Sequence, residues 1–200
     1  SDGTLQWIFI DSIHTGSFVN TLEVFSTSDG NYLLSSIYGN NPPDNDYVLQ
    51  KIAPAGNVIW EYEMTTPFLD YVTNISETSD GDYLLTGSYS SNLNSVGVAK
   101  LDQGGNVIWE TGFTNPNIPY HPGSVISASN GDILVVGYLG YFSAQDVFVK
   151  RLDSSGNLIW GKEFDHFSND FGLILVELPN DEFAIGGSNF EDLDNNMATL

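Results

Sequence analysis

Three histidines and one aspartate are the residues whose types could assemble a metal centre. His14, His121 and His166 follow three different tryptophans, at offsets of 7, 12 and 6 residues, and Asp70 lies in the corresponding stretch after Trp60. Neutral imidazoles joined by a carboxylate suit Zn²⁺, Fe²⁺ or Cu²⁺. The unequal offsets are what independent histidines in solvent-facing loops ordinarily show. Two acidic stretches, Glu191-Asp-Leu-Asp-Asn-Asn196 and Asp44-Asn-Asp46, offer oxygen ligands for Ca²⁺ but match no EF-hand spacing. Carboxylates are too abundant for any pair to diagnose hydrolysis. The sequence has no nucleophile elbow, phosphate-cradling loop or dinucleotide fingerprint. Binding is therefore expected over catalysis, with a divalent metal or Ca²⁺ as the cofactor alternatives.

Charge narrows the partners. The chain carries 26 Asp plus Glu against 5 Lys plus Arg, a formal net charge of −21 over 200 residues. That field repels nucleic acid and anionic lipid, and Lys51, Lys100, Lys150, Arg151 and Lys162 form no extended patch to overcome it. A cation or a neutral ligand fits better, although dense carboxylates also serve solubility alone. Without cysteine there is neither a disulfide framework nor a zinc-thiolate site. No stretch approaches the roughly 20 apolar residues that span a bilayer, so no membrane insertion is expected. The first residues lack a signal-peptide pattern, which implies that any export signal precedes residue 1.

The elements that must position these residues are set by a repeat. All four tryptophans close the same pattern: Gly3-Thr-Leu-Gln-Trp7, Gly56-Asn-Val-Ile-Trp60, Gly105-Asn-Val-Ile-Trp109 and Gly156-Asn-Leu-Ile-Trp160. In phase with it run Ser28-Asp-Gly-Asn-Tyr-Leu-Leu34, Ser79-Asp-Gly-Asp-Tyr-Leu-Leu85, Ser129-Asn-Gly-Asp-Ile-Leu-Val135 and a weaker Pro179-Asn-Asp-Glu-Phe-Ala-Ile185. A third run, Tyr47–Ile52, Val96–Leu101 and Val147–Leu152, precedes each tryptophan segment, with Met197–Leu200 as its truncated fourth copy.

Each unit of about fifty residues reads as four short strands, A to D, with a glycine turn between A and B and another between C and D. Strand A includes Leu22–Phe25, Val72–Ser76, Ser124–Ser127 and Leu173–Leu178. Apolar runs such as Ile133-Leu-Val-Val136 imply sheets covered on both faces. The predicted fold is all-β: a single domain over residues 1–200, forming a four-bladed β-propeller of four-stranded antiparallel meanders. The chain opens in a D strand, Leu5–Ile10, and ends in a C strand, so the N-terminal strand completes the last blade and closes the ring. Half of a larger ring, or a piece of a longer protein, is the competing reading.

Runs such as Ala99-Lys-Leu-Asp-Gln-Gly-Gly-Asn-Val-Ile-Trp109 and Thr78-Ser-Asp-Gly-Asp-Tyr-Leu-Leu-Thr-Gly-Ser88 resemble the repeats of bacterial secreted β-propellers, in particular the tryptophan-docking repeats of quinoprotein-like propellers. The resemblance implies that Trp7, Trp60, Trp109 and Trp160 pack between blades, and that the protein is secreted or displayed at the cell surface. It carries over no quinone-binding or catalytic motif. One such scaffold hosts many functions, so activity does not follow from it.

Functional variation is expected in the longer D–A and B–C loops, which leave the propeller on one face. The aromatic residues there suit sugar stacking or a peptide anchor. Tyr38, Tyr89 and Tyr138 recur at equivalent positions and are assigned to packing between blades. The non-repeating Tyr120, Tyr141, Phe142 and Phe167 are the candidate ligand contacts. The expected function is a secreted interaction or carbohydrate-binding module, monomeric, with a glycan or protein ligand. A metal-dependent enzyme centred on the three histidines and a structural spacer within a longer surface protein are the alternatives.

Overall fold

The structure, a computed structural model, describes residues 18–41, 44–64, 71–88, 95–141, 144–164 and 170–189. These form only antiparallel sheet, apart from one 3₁₀ turn. The first sheet is the meander β1 (Phe18–Ser26), β2 (Tyr32–Asn41), β3 (Asp44–Ile52) and β4 (Val58–Met64). The second is β5 (Tyr71–Glu77), β6 (Tyr83–Ser88), β7 (Ser95–Leu101) and β8 (Val107–Thr114). The third is β9 (Tyr120–Ser127), β10 (Ile133–Tyr141), β11 (Ala144–Leu152) and β12 (Leu158–Phe164). A fourth sheet pairs β13 (Asp170–Leu178) with β14 (Glu182–Asn189). The strand order A–B–C–D expected from the repeat is therefore observed in three sheets, and the A–B hairpin in the fourth.

Both glycine turns of each meander share one geometry. The carbonyls of Thr27, Ala53, Thr78, Asp102, Ala128 and Asp153 each accept from the glycine N–H three residues on. The N–H groups of the same six residues donate to the carbonyl four residues on, which re-forms the ladder. Only the glycine adopts positive φ, as a type I turn followed by a single left-handed residue requires. The expected tight turns are thus three-residue loops. In the weaker fourth copy Asp181 takes the glycine's place at φ 59°, at the end of the 3₁₀ turn Pro179–Asp181. The first three A–B turns are also braced by an ion pair from strand C. Lys51 Nζ lies 2.6 Å from Asp29, Lys100 Nζ 2.9 Å from Asp82, and Arg151 Nη2 2.6 Å from Asp132.

Strand alternation sends successive side chains to opposite faces, and each face meets a different neighbouring sheet. Ile75, Val125 and Leu175, at equivalent places on the A strands, are all buried against the preceding sheet. Phe25 and Ile126, one position later, pack toward the following one. Three apolar cores result, one between each pair of consecutive sheets, and each fully buried Leu or Ile contributes roughly 2 kcal/mol. The continuous burial of β6 along Tyr83–Ser88 follows from cover on both faces.

The tryptophans tie these interfaces together. Trp60 of the first sheet donates its indole N–H to the Gln103 carbonyl (2.8 Å), in the C–D turn of the second. Trp109 donates to the Ser154 carbonyl (3.1 Å), in the C–D turn of the third. A β-carbon on Gly105 would lie 2.6 Å from the Trp60 ring, and one on Gly156 2.7 Å from the Trp109 ring, so both turns need glycine for space as well as for φ. A carboxylate performs the same task at the A–B turns. Glu77 accepts from the N–H and hydroxyl of Ser28 in the first sheet, and Glu177 likewise from Ser129 in the third.

Closure of a four-sheet ring rests on segments that fall outside the described residues, Leu5–Ile10 and Met197–Leu200, as does Trp7. Among the described residues β13 packs on β9, β10 and β11, and no comparable packing joins β13 or β14 to the first sheet.

Candidate functional site

The two B–C connections among the described residues differ from the long loops expected. In the first and third sheets the strands run on as projecting hairpins, paired as far as Asn41 with Asp44 and Tyr141 with Ala144. Extension of the ladder satisfies backbone groups that a loose loop would leave to solvent. The third sheet's hairpin is further tied to the preceding D–A loop. Gly140 N–H donates to the Pro119 carbonyl (2.9 Å), and the Tyr141 hydroxyl donates to the Asn117 carbonyl (3.1 Å). That loop is itself shaped by an Asx turn, with Asn117 N–H donating to the Asn115 side chain at 2.9 Å. Tyr141 is 61% exposed, an aromatic ring anchored at its hydroxyl and open to solvent beside exposed Pro116 and Asn117.

The other described candidates sit deeper in the same end of the sheet. Tyr120 is only 7% exposed; it meets Phe148 edge-on at 5.1 Å, and its hydroxyl donates to Glu163 at 3.3 Å. Burial, and then the Glu163 charge, push the Tyr120 phenol up. The Lys150 ammonium lies 5.0 Å from the Phe113 ring centroid and 5.4 Å from that of Tyr120. Burial among these rings pulls Lys150 below the ordinary lysine range, against the pull of Glu163. Tyr120 thus serves the interface of the second and third sheets.

His121 stacks on Tyr138 with ring centroids 4.5 Å apart, and Tyr138 meets Phe171 of the fourth sheet edge-on at 4.7 Å. Tyr138 therefore packs between sheets, as its recurrence suggested. Burial holds His121 below the usual histidine range and keeps its imidazole neutral. Among the described residues no group of three His, Cys, Asp or Glu converges as metal ligands. His14, His166 and Asp70 lie outside the described residues, as do Phe142, Phe167 and Tyr89. The side chains of Tyr38, Asp44 and Asp46 also lie outside, and so does the acidic stretch from Glu191 to Asn196.

A recess of about 150 Å³ opens between the A–B turns of the first two sheets, lined by Ser28, Asp29, Glu77, Asp80 and Gln103. Its carboxylates are engaged. Asp29 is bound by Lys51, Glu77 by Ser28, and Asp80 by Thr78 and Lys100. Burial raises Asp29, but hydrogen bonds from Lys51, Thr27 and Asn31 outweigh that and hold it far below the carboxylate range. The recess reads as turn bracing.

Sequence reasoning missed Lys150, Glu163 and Asn117. Lys150 replaces Gln50 and Ala99 at the equivalent position of strand C, and that break in the repeat was the available signal.

No protein-family model matches the chain, and no curated protein matches it. Solved structures do. A crystal structure of a protein of unknown function from Dyadobacter fermentans superposes with a TM-score of 0.59 at 12% identity, over 88% of this chain and 50% of that one. Puromycin hydrolase (TM-score 0.46, 12% identity) is matched over 86% of this chain and 25% of its own. A mutant of the Synechocystis apocarotenoid oxygenase (TM-score 0.44, 10% identity) is matched over 87% and 48%. The chain thus spans half the length of the Dyadobacter protein, and that likeness concerns the β fold alone.

Proposed function

We propose that this chain is a binding module of propeller type that holds a neutral ligand, a glycan or an uncharged protein segment, on the third sheet's projecting hairpin. The observation that carries the reading is Tyr141: a largely exposed ring, anchored through its hydroxyl to the Asn117 carbonyl on a hairpin braced by Gly140 and Pro119. An anchored ring loses little entropy when a sugar or apolar side chain stacks on it, and the amides of Asn115 and Asn117 beside it offer donors and acceptors. The surrounding negative charge favours neutral or cationic ligands over anionic ones.

The propeller reading is supported by meanders that follow one another in repeat order, with the indoles of Trp60 and Trp109 each wedged on the next sheet's turn. That is the contact which the resemblance to tryptophan-docking repeats of bacterial secreted propellers implies, and a secreted or cell-surface location is proposed with it. Of the two closures open from the sequence, four sheets or half of a larger ring, the superposition on half of a longer chain favours the second.

Glycan-array and peptide-array screening, followed by Tyr141→Ala, tests the site. A bound ligand should lose at least about tenfold in affinity with the melting temperature unchanged, the value of one aromatic contact. Undiminished affinity would remove the hairpin from the binding face.

A further inference from the structure

Lys51, Lys100 and Arg151 on the C strands each brace an A–B turn through a carboxylate, Asp29, Asp82 and Asp132. Lys150 differs. Among the described residues no carboxylate stands within ion-pair distance of its ammonium. The repeat shows what is missing there. Gln50, Ala99 and Lys150 hold the same place on strand C, and across the ladder to strand D they face Glu61, Glu110 and Gly161. In the first sheet Gln50 donates to Glu61 at 2.7 Å. In the third sheet both members of the pair have changed together: a lysine enters strand C, and the carboxylate opposite it is gone. A β-carbon on Gly161 would lie 3.1 Å from Lys150 Nζ, so the glycine also clears the space that the amine occupies.

Three rings stand where a counter-ion would. The Lys150 ammonium lies 5.0, 5.4 and 6.0 Å from the ring centroids of Phe113, Tyr120 and Phe148. A ring face attracts a cation but returns less than the hydration it displaces, so such a wall favours the neutral amine. Glu163, which accepts from the Tyr120 hydroxyl, pulls the other way without reaching ion-pair contact. Gly161 and Glu163 are exposed and Lys150 partly so, which leaves the amine an open side toward strand D. An amine without a counter-ion, walled by aromatic rings and reached from solvent, has the arrangement of a nucleophile beside which a flat partner can stack.

We propose that Lys150 is a covalent binding site for neutral aromatic aldehydes, which it holds as imines beside the rings of Phe113 and Tyr120. The Nζ lone pair of the neutral amine bonds to the aldehyde carbon. Its two N–H protons leave with the carbonyl oxygen as water, and the C=N bond forms with no oxidant or reductant. The rings supply stacking for an aromatic substituent, and the net charge of −21 disfavours anionic carbonyl compounds. The site goes beyond the noncovalent binding assigned to Tyr141.

The test is reductive trapping of the whole chain with benzaldehyde and cyanoborohydride at pH 7, with the labelled lysines assigned by peptide mass mapping. Lys150 should be labelled at least about tenfold faster than exposed Lys162, which serves as the reference within the same molecule. Glyoxylate, an anionic aldehyde with no ring to stack, should give a smaller ratio of Lys150 to Lys162 labelling. Gly161→Glu restores the carboxylate that the first two sheets carry at this place. It should bring the benzaldehyde ratio down to about one, because an ion pair holds the amine protonated. The variant's melting temperature verifies folding, and the comparison of the two aldehydes on the wild type stands without it. Equal labelling of Lys150 and Lys162 overturns the proposal. So does the same ratio for both aldehydes, or an undiminished ratio in folded Gly161→Glu. None of these outcomes depends on ligand binding at Tyr141, so failure here and failure of the binding site are separable.

Discussion

Asp181 holds a left-handed backbone at φ 59°, at the place where Gly30, Gly81 and Gly131 stand in the other A–B turns. A β-carbon there crowds the backbone, so Asp181→Gly should stabilise the fold by about 1 kcal/mol, read as a higher melting temperature. His121 shows the converse, a side chain whose environment opposes its charge. Its folded pKa lies below the unfolded value of about 6.5, so its contribution is complete above that pH and is lost as pH falls through the folded value. Melting temperature followed from pH 7 to pH 5 should fall less in His121→Phe than in wild type. The ring types of Tyr138 and His121 were legible in the sequence. Their stacking was not, because β9 and β10 are paired through a bulge between Val136 and Gly137 that no local pattern specifies.

At the level of elements, strand order and both hairpin turns followed from Asp-Gly, Asn-Gly and Gly-Asn steps between β-rich runs. These are local preferences that tertiary packing reinforced. The length of the B–C hairpins was hidden, because Tyr38–Asp46 and Tyr138–Asp146 are rich in Gly, Pro, Asn and Asp, which mark loops when read locally. The tryptophan contacts give this scale its prediction. Gly105→Ala or Gly156→Ala inserts a methyl into an indole and strains a left-handed turn, so each should cost about 2–4 kcal/mol in chemical denaturation. Alanine at Gly30, where nothing lies within 4 Å, should cost only the φ penalty, about 1 kcal/mol. Equal losses at Gly30 and Gly105 would refute the wedge.

For the whole molecule, charge and turn chemistry act in opposite directions. The net charge of −21 repels itself at pH 7, so added salt should raise the melting temperature there and do so less at pH 5, where ordinary carboxylates begin to protonate. The turn aspartates resist that protonation. Hydrogen bonds from Thr78, opposed by burial, lower Asp80; the side chain and N–H of Asn106 lower Asp102, and those of Asn157 lower Asp153. Depressed values mean that their stabilisation is present above about pH 4 and is lost as pH falls through the folded values. Acid unfolding should therefore set in below pH 4, followed by far-ultraviolet circular dichroism, and Asp29→Asn should move its onset upward by removing the partner of Lys51.

What the sequence determined by itself was everything written in short-range chemistry: the all-β class, the fifty-residue unit, the order of strands and the position of every glycine turn. Those features depend on backbone preferences and two-residue alternation, which neighbouring residues carry alone. Only the tertiary structure decided which rings are open to a ligand, burying Tyr120 while exposing Tyr141. It also decided which apolar side chains remain exposed, Val24 and Val176 among them, because exposure depends on which sheet lies opposite, and that is set by residues about fifty positions away.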